Sequence, residues 1–298
     1  MNILLENVNL NSNTGPNYFG QKLIKYLSLR NVSFNNMLPY DIKLSFIESF
    51  SNTPNISLFQ RLDSIYYNQA KFNCEKMNYN IKKTYEKAKG IIFQSNFNKE
   101  LIFEWFGPHD NYTIINNGAD VLGIDLIAPY YYDFTKNFNK SWVCAASWRP
   151  LKRLRQNIEY FLEFSQKDEC LIVVGEHPDV TIEDSRVFFV GHLDVKKLLA
   201  VCKASDYFIH LGYLDGCPNV VIDARACGCK IVCSSSGGTK EIAGPDAIVV
   251  QEEDWDYSPL HQIEPPILEL GNVVNNDYNS DISMVKCAKK YHNFFLNK

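Results

Sequence analysis

A chain of 298 residues with 46% hydrophobic and 21% charged side chains is too apolar to be globally disordered and long enough for two domains of ordinary size. With 30 Lys and Arg against 34 Asp and Glu, the formal net charge is −4, and no basic run or stripe supplies the electrostatic footprint of nucleic-acid binding.

The opening Met1-Asn2-Ile3-Leu4-Leu5-Glu6-Asn7 reaches acid and amide before a long apolar core forms, so it does not read as a signal peptide. No apolar run approaches the roughly 20 residues of a bilayer span. Nine cysteines, odd in number and scattered, fit a reducing compartment better than a secreted disulfide scaffold. A cytoplasmic protein without a transmembrane segment is expected, with peripheral membrane contact left open. The Asn-x-Ser/Thr triplets at Asn31, Asn55, Asn111 and Asn139 then reflect heavy Asn usage and not glycosylation.

Short apolar runs alternate with helical periodicity in two successive halves, the pattern of βα units that build a mostly parallel sheet. In the first half, strands are predicted at 3–8, 56–63, 90–95 and 113–116, and helices at 17–28, 68–89 and 98–105. The periodicity lapses near Tyr130-Tyr131-Tyr132-Asp133-Phe134, so residues 1–125 read as a first domain and 126–140 as a linker. The second domain, 141–280, is predicted to hold strands at 142–147, 170–175, 187–190, 207–211, 230–234 and 247–250, with helices at 154–164, 195–203 and 219–227. Residues 281–298 read as a C-terminal helix with one apolar face, able to pack back on the first domain. Two such halves place a ligand cleft at the carboxyl ends of their strands.

The most informative stretch runs from Tyr207 to Gly228. An apolar strand enters the turn Asp215-Gly216-Cys217-Pro218, and the turn opens an apolar helix closed by Gly228. Amides at Pro218-Asn219-Val220, less the one proline lacks, lie at a helix N-terminus and suit a phosphate; Gly216 allows close backbone approach. Asp223, within the helix, can accept two hydrogen bonds from vicinal ribose hydroxyls, and Asp215 at the mouth faces whatever the diphosphate carries.

This stretch resembles the E-x7-E signature of retaining glycosyltransferases of family GT4, with Asp215 and Asp223 in place of the two Glu. The run Lys230 to Ile242, with Gly237-Gly238-Thr239-Lys240-Glu241-Ile242, is similar to the family's next strand and its Gly-Gly-x-x-Glu-Ile loop. Ser147-Trp148-Arg149-Pro150-Leu151-Lys152-Arg153 resembles its Arg/Lys pair. In the first half, Thr14-Gly15-Pro16-Asn17 is similar to the Gly-rich first loop, Ile91-Ile92-Phe93-Gln94-Ser95 to a strand end, and Asn116-Asn117-Gly118-Ala119-Asp120 to a P-N-G-V-D turn. The resemblance implies an α/β GT-B fold, two Rossmann-like doubly wound domains facing a central cleft, the first on the acceptor side and the second holding a nucleotide-sugar. It implies a hexosyl-type transfer with retention, without metal or other cofactor, to an acceptor left open among glycan, lipid and protein, with a glycan or lipid-linked acceptor the expected partner. Arg149 and Lys152 would bind the diphosphate, Asp223 the ribose and Asp215 the donor sugar, with Gly216, Cys217, Pro218, Asn219 and Val220 around the phosphates. Gly15 would belong to the substrate-binding loop.

Simpler roles stand beside these. Arg149 and Lys152 can be exposed charges, although cations at a helix start are disfavoured unless an anion joins them. Asp215 can cap the helix, and Glu241 can cap a helix, bridge to a lysine or lie on the nucleotide side. Arg61 and Asp63 end an apolar strand and either form a salt bridge or stand beside the reacting sugar carbon. His109, His177 and His192 read as solvated loop residues, and Asp254-Trp255-Asp256 as a solvated acidic loop and not a metal site. Burial explains Cys227, Cys229 and Cys233, since no second ligand pair completes a zinc set. The rival functions are a nucleotide-sugar epimerase on the same fold and a non-catalytic nucleotide-sugar-binding partner; a nicotinamide dehydrogenase is disfavoured because no Gly-x-Gly-x-x-Gly follows the first strand.

Overall fold

The computed structural model describes residues 1–34, 39–176, 180 and 182–296. They form two units: Met1–Ala119 with Trp255–Ile263 and Asp281–Lys298, and Asp120–Asp254 with Glu264–Ser280.

In the first unit the chain runs β1 (Asn2–Glu6), α1 (Gly15–Ser28), β2 (Ser33–Phe34), β3 (Ile42–Phe46), β4 (Ser57–Leu62), α2 (Cys74–Lys87), β5 (Gly90–Phe93), α3 (Asn96–Phe106) and β6 (Tyr112–Ile114). The sheet order is β2-β1-β3-β4-β5-β6, and every pair is parallel. Side-chain caps start α2 and α3: Asn73 accepts from the Lys76 amide and Ser95 from the Asn98 amide. The predicted helix at 68–89 therefore begins only after Asn73, because Asn68 is drawn into a bridge with Leu260.

Strand β3 has no counterpart among the predicted strands. Lys43 and Ser45 interrupt its apolar run, yet all five of its residues are buried. Lys43 is tolerated there because Glu6 Oε2 lies 2.9 Å from its ammonium and Ser51 supplies a carbonyl and a hydroxyl, each at 2.7 Å.

The second unit holds α4 (Val121–Asp125), β7 (Lys140–Ala145), α5 (Leu154–Phe164), β8 (Glu169–Val174), β9 (Val187–Gly191), α6 (Val195–Lys203), β10 (Tyr207–His210), α7 (Asn219–Ala226), β11 (Lys230–Ser234), α8 (Thr239–Ala243), β12 (Ile248–Val250) and β13 (Val273–Asn275). Its sheet order is β13-β12-β11-β10-β7-β8-β9, parallel except for β13. That edge strand is exposed throughout, and its apolar run is limited to Val273-Val274. The Tyr-rich segment expected as a linker lies in this unit, where Phe134 stacks on Phe188 with ring centroids 4.0 Å apart. His177 falls outside the described residues.

The chain then returns to the first unit as α9 (Met284–Leu296). Met284, Cys287, Ala288, Tyr291 and Phe295 of α9 join Phe19, Leu23 and Leu27 of α1 and strand residues such as Ile3, Leu44 and Phe59 in one core. The second unit has its own, built from Trp142, Leu154, Ile158, Phe161, Leu171, Val173, Ile209 and Val232 among others.

Candidate functional site

Within the second unit, β10 leads through residues 211–218 into α7, so the turn lies at the carboxyl end of a central strand, where open parallel sheets place ligands. Pro218 caps α7 with extended φ/ψ of −66° and 121°, and proline's fixed φ and missing amide suit a helix entrance. The turn is tightly held. Leu214, at φ +53°, donates its amide to Ser236 Oγ at 3.2 Å. The Asp215 carbonyl accepts from the Gly238 amide at 2.8 Å, and Ser234 Oγ donates to the Gly212 carbonyl at 3.1 Å. Gly237 packs flat against this turn at φ +72°, and a Cβ there would lie 2.6 Å from the Asp215 carbonyl oxygen. The Gly-Gly loop is thus the clamp on the Asp215 backbone, a role that needs glycine for both space and φ.

A second loop brings cations to the same turn. Pro150–Lys152 forms a 3-10 turn after β7, tied to the Asp215 loop by the Tyr213 amide, which donates to the Leu151 carbonyl at 2.8 Å. Asn157, buried on α5, joins both sides: its amide nitrogen donates to the Lys152 and Arg153 carbonyls at 2.9 and 2.7 Å, and its oxygen accepts from the Leu211 amide at 3.0 Å. Arg153, at φ +51°, grips Glu252 through two hydrogen bonds of 2.9 and 2.8 Å and the Pro266 carbonyl at 2.8 Å. Arg153 is an internal strut, and Lys152 is the residue presented to the turn.

Lys152 Nζ ion-pairs with Asp215 Oδ2, and His210 Nε2 lies 2.8 Å from that same oxygen. Burial alone would raise the Asp215 carboxyl, but Lys152 and His210 outweigh it and hold the group far below the ordinary carboxylate range. For His210 burial acts in the opposite sense: with help from Lys152 it pushes the imidazole below its ordinary value despite the opposing pull of Asp215. The trio therefore rests as ammonium, carboxylate and neutral imidazole. Asp215, Gly216, Asn219 and Val220 are half-buried at the mouth, Cys217 and Pro218 are buried behind them, and Asp223 and Glu241 are buried on α7 and α8. Arg149 stands exposed in extended backbone just before the 3-10 turn and forms no ion pair among the described residues.

In the first unit, Arg61 is buried at the end of β4. Its guanidinium lies between the Phe19 and Phe46 rings, 4.3 and 4.8 Å from their centroids, and donates to Asn117 Oδ1 at 2.7 Å and Gln94 Oε1 at 3.2 Å. It also ion-pairs with Asp63, which stays partly exposed at the end of β4. Gly15 is exposed as the first residue of α1. Among the described residues no group of three or more His, Cys, Asp or Glu could hold a metal ion, and no helix is long and apolar enough to cross a membrane.

The roles of His210, Asn157 and Ser236 went unmarked in the sequence. For His210 and Asn157 the one signal is polarity in an apolar context: His210 ends an apolar strand, and Asn157 lies among the core residues of α5.

Residues 139–258 match the family model described as glycosyl transferases group 1. An uncharacterized glycosyltransferase of Methanocaldococcus jannaschii is 25% identical over 264 residues, which cover 80% of this chain and 66% of the relative. The chain thus spans just under two thirds of the length of that relative. Among solved structures, Anabaena HepE in complex with UDP and glucose superposes with a TM-score of 0.68 at 14% identity, covering 100% of both chains. The sucrose-phosphate synthase of Thermosynechococcus elongatus gives 0.65 at 15% identity over 85% of this chain and 86% of that one. AviGT4, a glycosyltransferase involved in avilamycin A biosynthesis, gives 0.62 at 12% identity over 100% and 97%. These likenesses identify the fold as GT-B.

Proposed function

From a chain of GT-B fold whose residues 139–258 carry a group 1 glycosyltransferase match, we propose a family GT4 enzyme that transfers a sugar from a nucleotide diphosphate to a glycan or lipid-linked acceptor, with retention and without a metal. One observation carries the reading: Lys152 and Asp215 meet at the mouth of α7, inside the matched segment. An ammonium and helix-entrance amides suit a diphosphate, and a carboxylate beside them suits sugar hydroxyls.

On this reading Lys152, Arg149 and the amides at Asn219 and Val220 take the pyrophosphate, with Gly216, Cys217 and Pro218 shaping the turn. Asp223 takes the ribose, and Glu241 lies on the nucleotide side. Asp215 binds the donor sugar. Arg61 acts through Asp63, which with the Gly15 loop serves the acceptor side. Departure of the diphosphate is the step the enzyme accelerates, because charge develops there and Lys152 and Arg149 would stabilise it. That the similar Anabaena protein holds UDP and glucose supports a UDP-sugar as the first donor to try. A cytoplasmic setting fits nine cysteines that are all free thiols.

Thermal unfolding against UDP-, GDP-, dTDP- and ADP-sugars tests the reading. One donor class should raise the melting temperature with the logarithm of its concentration. Lys152→Ala should weaken that donor at least about tenfold, the loss of a charge-assisted hydrogen bond of roughly 1.5–3 kcal/mol. Donor-only incubation then separates transfer from epimerisation, since only an epimerase converts the donor into an isomeric nucleotide sugar with no acceptor present. If no nucleotide sugar shifts the melt, the site assignment is wrong.

A further inference from the structure

His210 closes β10 with only 3% of its surface exposed. An ionised carboxylate only accepts hydrogen bonds, so Nε2 carries the hydrogen in the 2.8 Å contact to Asp215 Oδ2. Room for the ring comes from Gly212: a Cβ there would lie 2.9 Å from His210 Nε2 and 3.5 Å from Asp215 Oδ2. The φ of Gly212 is not in the left-handed region, so closeness to the imidazole, and not conformation, accounts for glycine at that position.

Few other charges reach the ring. Lys152 arrives from the 3-10 turn and Asp215 from the loop after β10. On the flanking strands the nearby titratable groups are Cys144 of β7 and Cys233 of β11, which pairs with His210 in register; burial raises both thiols and keeps them neutral. Beyond Leu211, Arg153 and Glu252 neutralise each other. The charge of His210 therefore depends on Asp215 and Lys152.

Asp215 and a diphosphate compete for the same ammonium. While Lys152 pairs with Asp215, an imidazolium would face a cation across a shared oxygen, and the ring stays neutral. Once a diphosphate carrying its own negative charge takes Lys152, the carboxylate is left partly buried with a neutral partner, an arrangement that favours protonating that partner. We propose that His210 is a positioning residue that keeps Asp215 aimed after a diphosphate draws Lys152 away, and that it takes up a proton from solvent as this exchange occurs. The proton goes onto Nδ1, while Nε2–H stays on Asp215. This inference rests on the donor-site reading above.

Calorimetric titration of the intact chain with UDP and UDP-glucose near pH 7, in buffers of different ionisation enthalpy, counts the protons exchanged. The parent should take up a fraction approaching roughly one proton per diphosphate bound. His210→Gln, which still offers an N–H to Asp215 but cannot take a proton, should take up almost none. Equal uptake by parent and variant, or binding by the parent without uptake, overturns the inference and leaves the donor site standing. If neither ligand binds the parent, the nucleotide and nucleotide sugar of the class that raises the melting temperature replace them, and if no class does, both readings fall together. Should His210→Gln fail to fold, the His210 ring resonance of the parent can be titrated with and without UDP. The midpoint is expected to rise on binding, and an unmoved midpoint overturns the inference.

Discussion

Two carboxylates, Asp215 and Glu6, keep their charge in places where burial opposes it, and in both the surrounding donors decide the outcome. For Glu6, burial would raise the carboxyl, yet hydrogen bonds from Lys43, Ser49, Ser51 and Ser45 bring it down to about 2 from an ordinary 4.5. A depressed folded value means that the stabilisation is complete above the unfolded value and is lost as pH falls through the folded one. Between about pH 4.5 and about 2, the parent should thus lose roughly 1–3 kcal/mol through this group, solvent screening setting the lower end. Glu6→Gln should lack that part of the acid slope and be less stable at neutral pH, as urea unfolding across a pH series would measure. A variant with the parent's acid slope would show that Glu6 does not carry it. Asp223 and Lys152 were singled out from local pattern, but which side chain faces Lys152 was not written there: His210 and Lys152 share one Asp215 oxygen only because the turn folds Asp215 back over the end of β10.

The loops around α7 act as paired elements. Gly237 bears on the Asp215 backbone, with a would-be Cβ 2.6 Å from the carbonyl oxygen and 2.8 Å from the nitrogen, both atoms that cannot swing aside. Gly191 has almost the same φ, +71° against +72°, but nothing within 4 Å of a Cβ. Both alanine variants carry the left-handed penalty, and only Gly237→Ala adds displacement of the turn. Gly237→Ala should lose about 1–3 kcal/mol and weaken diphosphate binding, whereas Gly191→Ala should lose less and bind normally, by thermal melts and titration. Equal effects would mean that backbone conformation alone sets the requirement. The Gly-Gly pair was visible as a motif; its service as a backbone clamp was not, because its partner is a carbonyl, which leaves no mark on residue identity.

At the scale of the whole chain, the last helix completes the first core. Gly118 leaves room for the Met284 backbone, 2.9 Å from where a Cβ would be, and the Ala119 amide and carbonyl bond to the Ile282 carbonyl and the Met284 amide at 2.6 and 3.0 Å. Full burial of a large apolar side chain stabilises by roughly 1.5–3 kcal/mol. Met284, Tyr291 and Phe295 together therefore approach the roughly 5–15 kcal/mol of a typical domain. A chain ending at Ser280 should lose cooperative unfolding of the first unit and expose β1–β6 to protease, while α5–α8 and their sheet stay protected. A truncated chain with two intact cooperative transitions would show that α9 is dispensable.

The sequence by itself determined the βα alternation, the apolar strand leading into Asp215-Gly216-Cys217-Pro218, and the amphipathic final helix, because periodicity and turn chemistry are local properties. It did not determine β3, whose Lys43 needs Glu6 from a neighbouring strand to lie buried, nor the Arg61 strut between two aromatic rings. The meeting of Lys152, Asp215 and His210 was likewise decided only by tertiary structure, since ion pairs and pKa values depend on distances through space and on excluded water, which no stretch of chain encodes alone.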